Sequence, residues 1–194
     1  ISGAPRSPPP SASAASALPA GTAGSGTSAI RPHASGAYVQ LQNAIYQNDT
    51  KNVKSIADGL IEDYGTTIYA PLGALASAAA EVQEGNLDLA RDRLVWVIEK
   101  SGHPEYDTIA RVRLAGVELS AKKPEAALKA LEPAKPVPDQ TALVEDRLGD
   151  VYYAMNDFEK ARAAWQKAVE AAGEQSPIRG VLHYKLASLP PVAE

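Results

Sequence analysis

Three histidines, a few adjacent acidic pairs and two tryptophans are the residues of this chain whose types could do chemistry. Imidazoles serve as metal ligands or proton shuttles when they are paired at helical or loop spacing. His33 sits in a Pro/Ser-rich stretch, His103 precedes Pro104 in a loop and His183 falls on the last helical segment, so no two share such spacing. Glu62-Asp63 and Glu145-Asp146 could form an acid/base pair, but they come with no companion motif and read as solvated helix faces. Trp96 and Trp165 could line a ligand site, although their places on helices with small-residue contacts make them packing residues. The absence of cysteine removes disulfides, thiolate chemistry and Cys-type zinc sites together. No strand pattern exists to carry a Gly-rich phosphate loop. The expectation is a non-enzymatic chain with no catalytic, cofactor-binding or metal-ligating residue.

Binding chemistry has more support. Three helical segments carry apolar residues on one stripe: Leu72, Leu75, Ala79 and Val82; then Ile109, Val112, Gly116 and Leu119; then Leu143, Asp146, Asp150 and Tyr153. If Ala78, Ala115 and Gly149 mark helix–helix contacts, these residues point into a concave inner face. Leu72, Leu75, Val82, Ile109, Val112, Leu119, Asp146 and Tyr153 are therefore the candidate protein-binding residues. The competing reading is that another helix folds over the stripe and makes it core.

The elements that must position these residues are most legible in Ala142–Gly173, two amphipathic helices joined at Asn156-Asp157. Leu148, Gly149 and Tyr152 share one face, and Ala161, Trp165 and Ala168 share a face of the next helix. Small residues at Gly149, Ala161 and Ala168 let the backbones approach while Tyr152 and Trp165 fill the space around them. This is the signature of a tetratricopeptide repeat, a unit that cannot bury its apolar face without neighbours. Ala90, Ala127 and Ala161 keep the register, at spacings of 37 and 34 residues. The predicted fold is an all-α tetratricopeptide-repeat solenoid of helical hairpins. Helix pairs are expected over about 37–64, 69–100, 108–134 and 142–172, with a C-terminal capping helix at 177–188. The pair at 37–64 has the pattern without the signature, and is either a divergent repeat or a plain hairpin. Asp107 and Asn156 are the expected N-caps of their helices, with Glu159 completing a capping box.

Residues 1–36 are Pro/Ser/Ala/Gly-rich with almost no large apolar side chains, and are expected to be a disordered tether preceding a folded domain at 37–189. Of the 19 basic and 23 acidic residues, only Arg6 and Arg31 precede position 36, so the folded part carries 17 basic against 23 acidic. A mildly acidic domain without a Lys/Arg block excludes nucleic acid as a natural partner. No run of 18 or more apolar residues is present. The chain begins at Ile1 rather than Met, as expected of a fragment or processed product, so a membrane anchor would lie outside it.

Three passages carry a family resemblance: Gly85–Ala90 with Arg93–Ile98, Ala110–Ala115 with Val117 and Leu119, and Arg147–Tyr152 continuing to Ala161–Trp165. Over about residues 69–172 the chain is similar to the periplasmic domain of the YfgM-like family, ancillary subunits of the SecYEG translocon. The resemblance implies a protein-interaction scaffold acting in protein translocation. Its expected partners are translocon subunits, a membrane-anchored periplasmic chaperone and unfolded clients. The implied location is the periplasmic face of a bacterial inner membrane, with a single-pass anchor in the full-length protein. Lys122-Lys123-Pro124 departs from the family's Gly-containing turn. The alternatives are a structural or assembly adaptor of another complex, or a small enzyme.

Overall fold

Each hairpin of the chain turns on one residue whose backbone is left-handed. In the computed structural model, which describes residues 33–191, these residues are Asn48 (φ 54°), Gly85 (φ 81°), Lys122 (φ 61°) and Asn156 (φ 60°). In all four turns this residue donates its N–H to the carbonyl three residues back, and the next residue donates to the carbonyl five back. That pattern satisfies the last carbonyls of the first helix and aims the chain into the second. Spacings of 37, 37 and 34 residues therefore extend the register to the first hairpin, which is a repeat in its geometry.

The helices so joined are α1 (Ala34–Tyr46) and α2 (Thr50–Tyr64), α3 (Tyr69–Gln83) and α4 (Leu87–Glu99), α5 (Asp107–Ser120) and α6 (Pro124–Leu131), and α7 (Pro138–Ala154) and α8 (Phe158–Ala171); α9 (Ile178–Ala187) follows them. No strand occurs among the described residues, and the architecture is the all-α tetratricopeptide-repeat solenoid with its terminal helix. The expected tether at 1–36 lies almost wholly outside the described residues, and α1 begins at Ala34, inside that span. Pro138 opens α7 four residues earlier than the expected 142, because a proline at the first helical position needs no N–H partner.

Two cap expectations shift by one residue. Asn156 is the left-handed end of α7, and the cap of α8 is Asp157, whose carboxylate accepts from the Lys160 N–H at 3.2 Å. Asp49 caps α2 in the same way, from Asn52 N–H at 3.1 Å. Asp107 is the first residue of α5 rather than its cap; a 3-10 turn at Pro104–Tyr106 leads into it, and its carboxylate receives Arg111.

The positions where first and second helices touch are Leu41, Ala78, Ala115 and Gly149 against Val53, Ala90, Ala127 and Ala161, all buried. Leu41 and Val53 fill with side chains the contact that the later repeats make with small residues, which is why the signature fades there. Gly149 is the closest approach: a Cβ on it would lie 2.3 Å from the Trp165 indole. Successive repeats are also tied by charge. Lys54 of α2 meets Glu81 and Glu84 of α3, and Arg91 of α4 holds Glu118 of α5 through two hydrogen bonds. Both members of the second pair stand 37 residues after those of the Lys54–Glu81 pair. Glu81 and Glu118 are buried, so these cations satisfy carboxylates that would otherwise be costly to enclose.

Candidate protein-binding groove

The residue three before each turn is apolar in every repeat: Ile45, Val82, Leu119 and Tyr153. Ile45, Val82 and Tyr153 are 49%, 41% and 45% exposed, and Leu119 is half-buried. They form a row across the turn-side ends of α1, α3, α5 and α7. Exposed apolar groups recurring at one register position make this row the candidate surface for burial against a partner.

Of the residues expected on the concave face, the structure keeps some and withdraws others. Val82 and Tyr153 are exposed, Leu119 is half-buried at the rim of a hollow with Lys122 and Tyr153, and Leu72 lines a second hollow with Ile45 and Ala76. Leu75 and Val112 are 5% and 2% exposed and belong to the core, which corrects the expectation that they meet a partner. Leu75 packs among Leu94, Ala110 and Leu114 of the following helices, and Val112 among Leu131, Val144 and Val151. Ile109 packs half-buried against the same cluster as Leu75. Asp146 is taken up by Lys185 of α9 at 2.6 Å, and its carbonyl accepts from the Trp165 Nε1–H at 3.1 Å. That residue fastens the terminal helix rather than presenting a charge to solvent.

A cavity of about 390 Å³ opens between α3 and α5. The packing explains its place: α1 lies directly on α3 and α5 on α7, whereas α3 and α5 stand further apart. Its walls are Ala78, Ala79, Val82 and Gly116, with Ser120 and the side chains of Arg113 and Arg147. The hollow at Ile45 and Leu72 shares Ala79 and Arg113 with it, so the two form one continuous groove. The arginines escaped the sequence reading because it followed the apolar stripe; their signal was the 34-residue spacing that makes them equivalent. Arg113 Nη1–H donates to the Leu75 carbonyl at 3.1 Å, and partial burial pushes its guanidinium below the usual arginine range. Arg147 Nη1–H donates to Asp150 at 3.1 Å. Burial raises the Asp150 carboxyl above its ordinary value, against the opposing pull of Lys185.

The residues weighed for chemistry are scattered. His103 faces Glu105 at 3.0 Å in the loop before α5, and His33 and His183 lie exposed at opposite ends of the described chain. Trp165 is buried, and Trp96 packs half-buried against the α3–α5 core. Among the described residues no group of three His, Cys, Asp or Glu could hold a metal ion.

Comparison with known proteins gives the same fold. The chain is 34% identical over 131 residues to the ancillary SecYEG translocon subunit of Neisseria gonorrhoeae, covering 67% of this chain and 62% of that protein. It is 30% identical over 130 residues to the protein of the same name in Aggregatibacter actinomycetemcomitans, 66% of this chain and 62% of that one. With the Escherichia coli protein it shares 26% over 138 residues, 71% and 66% of the two lengths. The chain thus spans about 62% of the length of the first of these relatives. The family model described as a tetratricopeptide repeat-like domain matches residues 27–191, and the chain belongs to that family.

Proposed function

We propose that this chain is a non-catalytic protein-interaction scaffold that works beside the SecYEG translocon on the periplasmic face of the bacterial inner membrane. Its partners are translocon subunits, a membrane-anchored periplasmic chaperone and unfolded clients, which it receives through the groove across its first helices. The row Ile45, Val82, Leu119 and Tyr153 carries this reading, because its apolar character recurs at one position while neighbouring surface positions vary. With packed first helices about 10 Å apart and α3 and α5 further apart than that, a row of four is about 30 Å or more long, at least the length of an extended segment of about nine residues. The names of the relatives support the translocon as the setting. No helix of the described residues is long and apolar enough to cross a membrane, so the part described here contributes binding surface rather than a span.

A titration against SecYEG in lipid nanodiscs tests this. Ile45→Gln with Val82→Gln, both at exposed positions, should weaken binding about tenfold or more while moving the unfolding midpoint little. Undiminished affinity of the double variant would remove the groove from the account. Failure of the parent chain to bind SecYEG would remove the translocon.

A further inference from the structure

We propose that the cavity between α3 and α5 binds an acidic side chain carried on an otherwise apolar segment of the protein partner, with Arg113 and Arg147 as its donors. This rests on the groove being the partner surface and names the chemistry at its centre. The two arginines occupy equivalent positions of successive repeats, on helices that pack directly against each other, and both reach into the same cavity. Each arm leans toward the preceding repeat. Arg113 of α5 reaches the Leu75 carbonyl of α3, and the Arg147 guanidinium of α7 lies over Gly116 of α5, its Cζ 3.5 Å from where a Cβ would stand.

The donors are incompletely used. Arg113 makes one hydrogen bond, to a backbone carbonyl, and no carboxylate of the described residues pairs with it, so its remaining N–H groups are exposed at the mouth of the cavity. Arg147 gives one N–H to Asp150, and its Nε–H is buried without a partner. Arg147 shares Asp150 with Lys185, which bridges Asp146 and Asp150 at 2.6 Å to each. In lacking a paired carboxylate among the described residues, Arg113 differs from Arg91, Arg93 and Arg111, which meet Glu118, Asp58 and Asp107, and from Arg147, which meets Asp150. A planar guanidinium with parallel free N–H groups suits a carboxylate, and one from outside completes this site. In a folded part with 17 basic and 23 acidic residues, such a cationic spot also stands out against its surroundings.

The remaining walls select the rest of the segment. Ala79, Val82 and Gly116 are small or apolar, so the cavity takes backbone and aliphatic side chains around the acid. At about 390 Å³ it falls at the small end of ligand-sized pockets, of roughly 300–1,000 Å³. The hollow at Ile45 and Leu72 runs into it, sharing Ala79 and Arg113, and a separate hollow lies beyond it at Leu119 and Tyr153. A segment therefore passes through with the acid in its middle, rather than ending there on a terminal carboxylate.

Three fluorescent nonapeptides of Ala, Leu and Val test this with the full chain: one blocked at both ends with a central Glu, the same with Gln, and the Gln peptide with a free C-terminus. Anisotropy titrations should show the Glu peptide binding at least tenfold more tightly than the blocked Gln peptide, a preference that falls with added salt. Arg113→Gln and Arg147→Gln should each reduce that preference several-fold, and Arg113→Lys should retain part of it. In 15N spectra of the parent, the Arg147 Nε–Hε resonance should move on adding the Glu peptide and stay still with the Gln peptide. Equal binding of Glu and Gln peptides, abolished in both by Val82→Gln, would overturn the carboxylate site and leave the groove standing. Binding of none of the three would also overturn the site. Tightest binding of the free-acid peptide would overturn the central acid in favour of a chain end.

Discussion

Gly149 and Trp165 show how much one pair of residues can determine. With a Cβ at position 149 placed 2.3 Å from the indole, Gly149→Ala must displace a buried ring that also holds the Asp146 carbonyl. The expected cost is about 1–3 kcal/mol, and Trp165→Ala should cost about 3–5 kcal/mol. Urea titrations of the double variant check the cause: with the ring gone, Gly149→Ala should add no cost to the tryptophan loss, since alanine is the better helix former. Full additivity would show that the glycine serves another purpose. Asp150 makes a prediction in pH. Its folded carboxyl titrates above the ordinary value of 3.8, so protonation favours the folded state and its contribution declines as pH rises through the raised value. Asp150→Asn should therefore remove a component of stability that grows on acidification from neutral pH toward 4, measurable as a deficit in the variant's unfolding midpoint relative to the parent that widens as pH falls. A deficit that narrows on acidification would contradict the burial argument. At this scale Gly149 and Trp165 were legible from residue type, because small-against-aromatic at repeat spacing has one packing solution. Asp146 was not, since the lysine that engages it lies 39 positions away on a helix whose docking no local pattern specifies.

Among the elements, the four turns are built alike from unlike residues. Glycine at position 85 adopts its positive φ freely, asparagine at 48 and 156 tolerates it, and Lys122 is forced into it. Lys122→Gly should accordingly raise stability, by up to about 1 kcal/mol, and Gly85→Ala should lower it by about 1 kcal/mol, both read by thermal unfolding. A destabilised Lys122→Gly would mean that the lysine's side chain does more than turn the chain. The inter-repeat pairs give a second test. Arg91→Leu leaves buried Glu118 without its two donors and should cost about 1–3 kcal/mol, whereas Arg91→Lys should recover part of the loss. Helix positions and turn sites followed from periodicity and from Gly, Asn and Pro. The first repeat was ambiguous because Leu41 and Val53 replace its small residues, and only backbone hydrogen bonds reveal the shared turn. The cap of α8 slipped by one because Asn-Asp offers two adjacent capping residues, and it is the left-handed turn that assigns the second of them to the helix.

Across the repeat array, the proposed function rests on which part of each first helix its neighbours leave uncovered. Leu75 and Val82 lie on one stripe of α3, seven residues and so nearly two turns apart, yet the first is core and the second is surface. A sequence pattern specifies the angle of a side chain around its helix, but not how far along the axis the next repeat covers it. That is why the concave face was legible as a stripe, while the exposed row proposed as the working surface, with Ile45 in and Leu75 and Val112 out, required the packed structure. The fold class was legible throughout, since repeat spacing is a property of the chain itself. The most direct measurement is site-specific photo-crosslinking in membranes that contain SecYEG, with a benzoyl-phenylalanine placed in turn at Ile45, Val82 and Tyr153 and at the exposed second-helix positions Ser55, Gln166 and Lys167. The account predicts partner adducts from the three row positions and none from the second-helix positions. Adducts from Ser55, Gln166 or Lys167 with none from Val82 would contradict it and move the working surface to the outer helices.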